Sequence, residues 1–222
     1  MLTIQNLLVE DATLPPALPY MTPYTVSGQA SGSSPTFSPL DLPGLQLWLR
    51  GDLGITIATG VSVWADQSGS GNNVVQASGS LQPAYNTVTI NGQLCVVGNG
   101  TNQYLQSGSS AFNTGALTVL FVAQQTVGGS THVPLSFQIS GHNIWGCVFN
   151  GAASNFLIDS LVLPTGTTDA FSEFIEVLGN FNLGDYWPGP VAEVIVYKRA
   201  LVATELATLH AYLSARYAIP LI

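Results

Sequence analysis

Along much of the chain, apolar side chains alternate with polar ones in short runs, the period-two pattern of strands that bury one face. The first such run sets Leu45, Leu47 and Leu49 against Gln46, Trp48 and Arg50. Further runs fall at 61–64, 73–76, 94–97, 117–123, 144–149, 156–159, 171–178 and 191–197, separated by clusters of Gly, Asn and Ser. In the last run Ala192, Val194 and Val196 share one face, and Val191, Glu193, Ile195 and Tyr197 share the other. After Lys198-Arg199 the period changes: Leu206, Leu209, Leu213 and Tyr217 recur at spacings of three and four, which predicts a closing helix. Many short strands and one terminal helix predict an all-β chain, a two-sheet antiparallel β-sandwich with a short C-terminal helix. The helix start lacks a reciprocal cap, because Val202 stands where a capping box needs Ser or Thr three residues before Glu205. Glu205 and Arg216 still complement the helix dipole at its two ends.

The pattern stops short of the N-terminus. Seven of the thirteen prolines lie between Pro15 and Pro43, among Gly and Ser/Thr residues. Proline donates no ladder hydrogen bond, so residues 1–43 read as an extended Pro/Ser/Gly-rich arm and 44–222 as the domain. Two readings of the arm stand: a disordered leader, or a segment that docks on a neighbouring subunit or larger assembly by burying Leu2, Ile4, Leu7, Leu8 and Val9.

Composition narrows the partners. The 222 residues suit one sizeable core. Only 7% are charged and mean hydropathy is +0.34, so the surface is built from Ser, Thr, Asn, Gln and Gly with many apolar groups, which favours self-association into a homo-oligomer. A net charge of -8 with four Lys and Arg excludes a cationic footprint for nucleic acid and disfavours an anionic membrane surface. No segment reaches the ~20 apolar residues of a membrane helix. The first eleven residues lack a basic region and end in Glu10-Asp11, a poor export signal, and the expectation is a chain made and kept in the cytoplasm. Cys95 and Cys147 are either buried small hydrophobes or one disulfide.

Two blocks carry a resemblance. Gly189-Pro-Val-Ala-Glu-Val-Ile-Val-Tyr-Lys-Arg-Ala-Leu201 and Trp64-Ala-Asp-Gln-Ser-Gly-Ser-Gly-Asn-Asn73 are supported by Gln82-Pro-Ala-Tyr85, Ile90-Asn-Gly92, Tyr104-Leu105, the apolar run 117–123 and Val177-Leu-Gly179. Together they resemble the laminin-G-like jelly-roll domains of the concanavalin A-like lectin/glucanase superfamily, over residues 44–219. Such domains occur in secreted bacterial proteins and in phage virion proteins. The resemblance implies a concanavalin A-like jelly roll.

Candidate chemistry is sparse. Glucanases of that superfamily carry alternating acids on one strand, E-x-D-x-x-E, and this chain has none. Glu173 and Glu176 are three apart, which places them on opposite faces of a strand, and Glu193 is a lone acid. His132, His142 and His210 show no metal-ligand spacing, and there is no nucleophile elbow or phosphate loop. The expectation is therefore a non-enzymatic protein without a cofactor. One metal reading remains, a calcium site at Asp66, Asn72 and Asn73 with Asp52 or Asp185, since some laminin-G-like domains bind calcium through loop oxygens. Its rival has Asp66 accepting N–H groups from the Ser68-Gly69 turn while Trp64 packs in the core. Two sets of residues offer a flat aromatic face beside polar partners, as sugar sites do: Tyr186 and Trp187 with Asn182 and Asp185, and Trp145 with His142 and Asn143. Packing is the competing role for Trp187.

The first functional reading is a structural protein of a phage virion: a capsid decoration, appendage or tail-associated protein. It would stabilise the particle or mediate attachment, its arm engaging the major capsid protein or another virion protein. A homotrimer is the natural form for an appendage. The alternative is a carbohydrate-binding module or adhesin of a bacterial cell surface, extracellular and with a glycan as partner.

Overall fold

The structure, a computed structural model, describes residues 37–108, 116–124, 135–139, 142–145, 159–162, 171–180 and 184–219; for 116, 136–139, 142–145, 159–162, 171–174 and 180 it describes the backbone. In chain order the strands are β1 Leu45–Arg50, β2 Ile55–Ile57, β3 Val61–Trp64, β4 Val74–Val75, β5 Ala84–Tyr85, β6 Val96–Asn99, β7 Leu105–Ser107, β8 Ala116–Ala123, β9 Leu135–Ile139 and β10 His142–Trp145. β11 Asp159–Val162, β12 Phe171–Val177, β13 Gly179–Asn180, β14 Asp185–Tyr186 and β15 Pro188–Tyr197 follow, and helix α1 Ala203–Tyr217 closes the chain. One sheet runs β11-β8-β15-β6-β5, with β1 also paired to β15; the other runs β10-β9-β12-β7-β4-β3-β2, and every pairing is antiparallel. The fold is the all-β sandwich with one short terminal helix that the hydrophobic pattern predicts.

The core between the sheets joins Leu47, Leu49, Val194 and Val196 of the first sheet to Trp64, Leu105, Ile175 and Val177 of the second. A second core lies between the first sheet and α1, where Trp48, Leu120, Val122, Ile195 and Tyr197 meet Leu209, Leu213 and Tyr217. All ten residues of β15 are buried, because helix and second sheet cover its two faces. Two bulges break the alternation read from the sequence. Ala192 is the extra residue between Val191, opposite Ala123, and Glu193, opposite Val122. Val191 therefore joins Val194 in the inter-sheet core while Ala192 joins Ile195 beneath the helix, the reverse of the predicted faces. Likewise Gln46 is extra between Leu45 and Leu47, and Leu45 packs on the helix side, away from Leu47 and Leu49.

Glu193 is the polar centre of that second core and is fully buried. Its Oε1 accepts from Trp48 Nε1 at 2.7 Å and Tyr212 OH at 2.9 Å, and its Oε2 from Tyr217 OH at 2.8 Å. Arg216 Nε lies 3.4 Å from the same carboxylate and Arg216 reaches Asp52 at 2.9 Å, which Arg50 also holds at 2.7 Å. Burial pushes the Glu193 carboxyl upward, and the Trp48, Tyr217 and Tyr212 donors with the Arg216 charge offset this only in part. The helix is thus attached to the sheet by hydrogen bonds as well as by apolar area. The segment before β1 adds to this layer: the Phe37 ring meets Tyr212 edge-on at 6.0 Å, and Tyr197 OH donates to the Pro39 carbonyl at 2.7 Å. Cys95 is a free thiol buried in the same core, its pKa raised by burial to about 11; Cys147 lies outside the described residues.

Candidate functional site

The second sheet turns Ile175 and Val177 into the core, so Glu176 between them lies on the opposite side of the sheet, where it is nonetheless buried. Beside it, in register on β7, is Gln106, and Tyr104 precedes Gln106 by two positions on the same side. After Val177 the chain passes through Leu178, a buried residue in the left-handed region at φ 71, which turns it into the β13–β14 hairpin. Such a residue stores of order 1 kcal/mol of strain, sustained here by the packing around its side chain. Gly179 then pairs with Tyr186, and a Cβ at Gly179 would stand 2.9 Å from the Tyr186 ring, so glycine lets that ring lie flat on the backbone. The result is a pair of partly exposed aromatic rings, Tyr104 and Tyr186, with centroids 6.4 Å apart and planes inclined at 41°.

The loop that presents Tyr104 is held from both ends. Asn99 Oδ1 accepts from the N–H groups of Thr101 at 2.9 Å and Asn102 at 3.1 Å, and Asn99 Nδ2 donates to Asn102 Oδ1. Gly100, at φ 71, lets this turn sit against Pro188, where a Cβ would come within 2.7 Å of the proline ring. Behind it, Gln103 donates to the Gln82 carbonyl, Gln82 to the Gln76 carbonyl and Gln76 to the Tyr104 carbonyl, a chain of amides that fixes the loop from below. Burial raises the Tyr186 phenol pKa, and Tyr104 and Glu176 raise it further, so both neighbours lie within electrostatic reach. The arrangement offers two ring faces, two phenol hydroxyls and the partly exposed carboxylate of Asp185, with the buried Glu176 beneath them.

Of the residues singled out in the sequence, Asp185 and Tyr186 stand in this site, both partly exposed on β14. Trp187 does not: it is fully buried in the inter-sheet core, its Nε1 3.5 Å from the Pro190 carbonyl, and has no face for a ligand. Asn182 lies outside the described residues, as do the side chains of His142 and Trp145. Backbone register nevertheless relates the two proposed sugar sets. Glu176 pairs with Ser136, which pairs with Trp145, so Trp145 is two strands, about 10 Å, from Glu176. His142 pairs with Ile139 at the other end of β10. Sequence reasoning does not point to Tyr104, Gln106 or Glu176 as site residues: Tyr104 falls in a motif that marks the fold, and Glu176 reads as half of a glutamate pair on opposite strand faces.

The candidate calcium residues form a closed hydrogen-bonded loop. Asp66 Oδ1 accepts from Trp48 N at 2.9 Å and Ser68 N at 2.8 Å, and Oδ2 from Ser68 Oγ at 2.7 Å and Asn72 N at 3.0 Å. Asn73 Oδ1 accepts from Asp66 N and Asn72 Nδ2 donates to the Gln46 carbonyl, while Trp64 packs in the core and donates to the Arg50 carbonyl. The motif thereby ties its loop to β1. Among the described residues no three His, Cys, Asp or Glu side chains gather as a metal site, and no helix is long and apolar enough to cross a membrane.

No protein-family model and no curated protein sequence matches the chain. Solved structures do. A Trypanosoma rangeli sialidase in complex with the inhibitor DANA is similar with a TM-score of 0.55 at 14% identity, over 81% of this chain and 34% of that one. Domain 4 of AbnA, a GH43 extracellular arabinanase from Geobacillus stearothermophilus, in complex with arabinotriose, is similar with a TM-score of 0.52 at 11% identity, over 74% of this chain and 97% of the domain. The chain thus spans about a third of the sialidase but nearly the whole of the arabinanase domain. At these identities the likeness is one of fold alone, a β-sandwich.

Proposed function

We propose that the chain is a non-catalytic carbohydrate-binding module that holds a glycan at Tyr104 and Tyr186. The observation that carries this reading is the ring pair itself: two partly exposed phenols beside Asp185 and Glu176, on a loop and hairpin braced by Asn99, Gly100 and Gly179. Sugar rings present C–H faces that pack on aromatic planes, while their hydroxyls donate to carboxylates and amides at the rim. The arabinanase domain supports the reading, because a sandwich matched over nearly its full length is in complex with arabinotriose. The virion role rests on the sequence alone, on the low charge and the proline-rich arm, and neither of the two structures described above speaks for it.

A glycan array probed with the full chain, followed by calorimetry on the strongest ligand, tests the proposal. The expected result is binding in the micromolar to millimolar range, weakened about tenfold or more in Tyr186→Ala and Tyr104→Ala with unchanged thermal unfolding. Failure of the folded protein to retain any glycan on a broad array overturns it.

A further inference from the structure

Every permanent cation of this chain can be located, because the sequence contains only four Lys and Arg and all are among the described residues. Arg50 is bound to Asp52 at 2.7 Å, Arg216 to Asp52 at 2.9 Å and to Glu193 at 3.4 Å, and Arg199 to Glu205 at 2.8 Å. Lys198 is exposed and follows the C-terminal end of β15. Tyr186 stands just before the N-terminal end of that strand. At ~3.3 Å per residue, Lys198 and Arg199 lie about 33 and about 36 Å along the strand direction from Pro188, and Glu193, which holds Arg216, about 17 Å. These separations exceed the Debye length of ~8 Å at physiological ionic strength. The aromatic pair is therefore beyond effective reach of every lysine and arginine, while Glu176 and Asp185 stand beside it and the chain carries a net charge of -8.

Resting on the reading of Tyr104 and Tyr186 as a glycan site, we infer that the site is specific for uncharged glycans and rejects those bearing carboxylates, such as sialylated or uronic-acid sugars. The discrimination has two parts. A neutral sugar offers hydroxyls that donate to the partly exposed Asp185 in charge-assisted hydrogen bonds. An acidic sugar brings a further carboxylate to the side of Asp185, with no guanidinium to pair it, and its desolvation goes uncompensated.

Matched pairs test this at near-neutral pH: lactose against sialyllactose, and methyl-esterified against de-esterified oligogalacturonide, each titrated by calorimetry at low and raised salt alongside an array of neutral and acidic glycans. The inference expects the neutral member of a bound pair to be favoured by about tenfold or more. It also expects that gap to narrow as salt screens the repulsion, and to narrow in Asp185→Asn. Equal or preferred binding of acidic glycans overturns the inference and leaves the sugar-binding reading standing. Binding of neither class overturns the sugar-binding reading and the inference with it.

Discussion

At the scale of single residues, Asp66 and Glu193 are acids that act as acceptors for many donors. Asp66 takes four donors, two of them backbone N–H groups from the turn that follows it and one from β1. Asp66→Ala leaves these donors to compete for water at a half-buried junction, and is expected to lower stability by about 1–3 kcal/mol. Calorimetric melting of both proteins with and without calcium checks the role. A calcium-dependent rise in melting temperature in wild type that disappears in the variant would instead mark a metal ligand. Glu193 differs because burial raises its folded-state pKa above the unfolded value. The stability it contributes is then full below the unfolded pKa and declines as pH rises through the folded one. The cost of Glu193→Gln is accordingly expected to be largest in acid and to shrink as pH rises, which paired urea denaturation curves across pH will show. A cost that grows with pH contradicts this.

At the scale of elements, α1 begins with half a cap. Glu205 Oε2 accepts from Val202 N at 3.0 Å, but Val202 has no oxygen to return the bond, and Arg199 holds Glu205 at 2.8 Å on the other side. The Arg199 guanidinium first and the Val202 N–H second draw the Glu205 carboxyl down to about 2. Val202 is 60% exposed with extended backbone, so Val202→Ser fits the site and completes the box; thermal unfolding is expected to show a gain of about 0.5–1 kcal/mol. This start was legible from one position, as were β1, β3, β8 and the apolar stripe of the helix. The faces of Leu45, Val191 and Ala192 were not, because a bulge adds a residue without changing composition and shifts every later side chain across the sheet. Two-residue strands such as β4, β5 and β14 are too short for any alternation, and β14 carries half of the aromatic pair. Tyr104 and Tyr186 are far apart in sequence and meet only through the pairing of β12 with β7 and the hairpin at Leu178.

At the scale of the molecule, the sandwich rests on non-local contacts, and its helix layer reaches back to residues before β1. Phe37 and Pro39 contact Tyr212 and Tyr197, and a short turn is closed by Asp41 Oδ2 accepting from Ser38 N and Ser38 Oγ accepting from Leu40 N. A chain shortened to begin at Leu45 loses these contacts and leaves the buried Tyr197 hydroxyl without its acceptor. It is expected to melt at a lower temperature than one beginning at Phe37, by about 1–3 kcal/mol in stability. Equal melting of the two would show that the turn adds nothing to the domain. The central strand of the first sheet has a different consequence. β15 alone joins β8 on one edge to β6 and β1 on the other, and it is the last strand made. On a ribosome adding about 5–20 residues per second, β1 waits about seven to thirty seconds for its partner. Throughout that time the nascent chain carries open strand edges and a growing apolar surface, so this sheet closes only once β15 has been made.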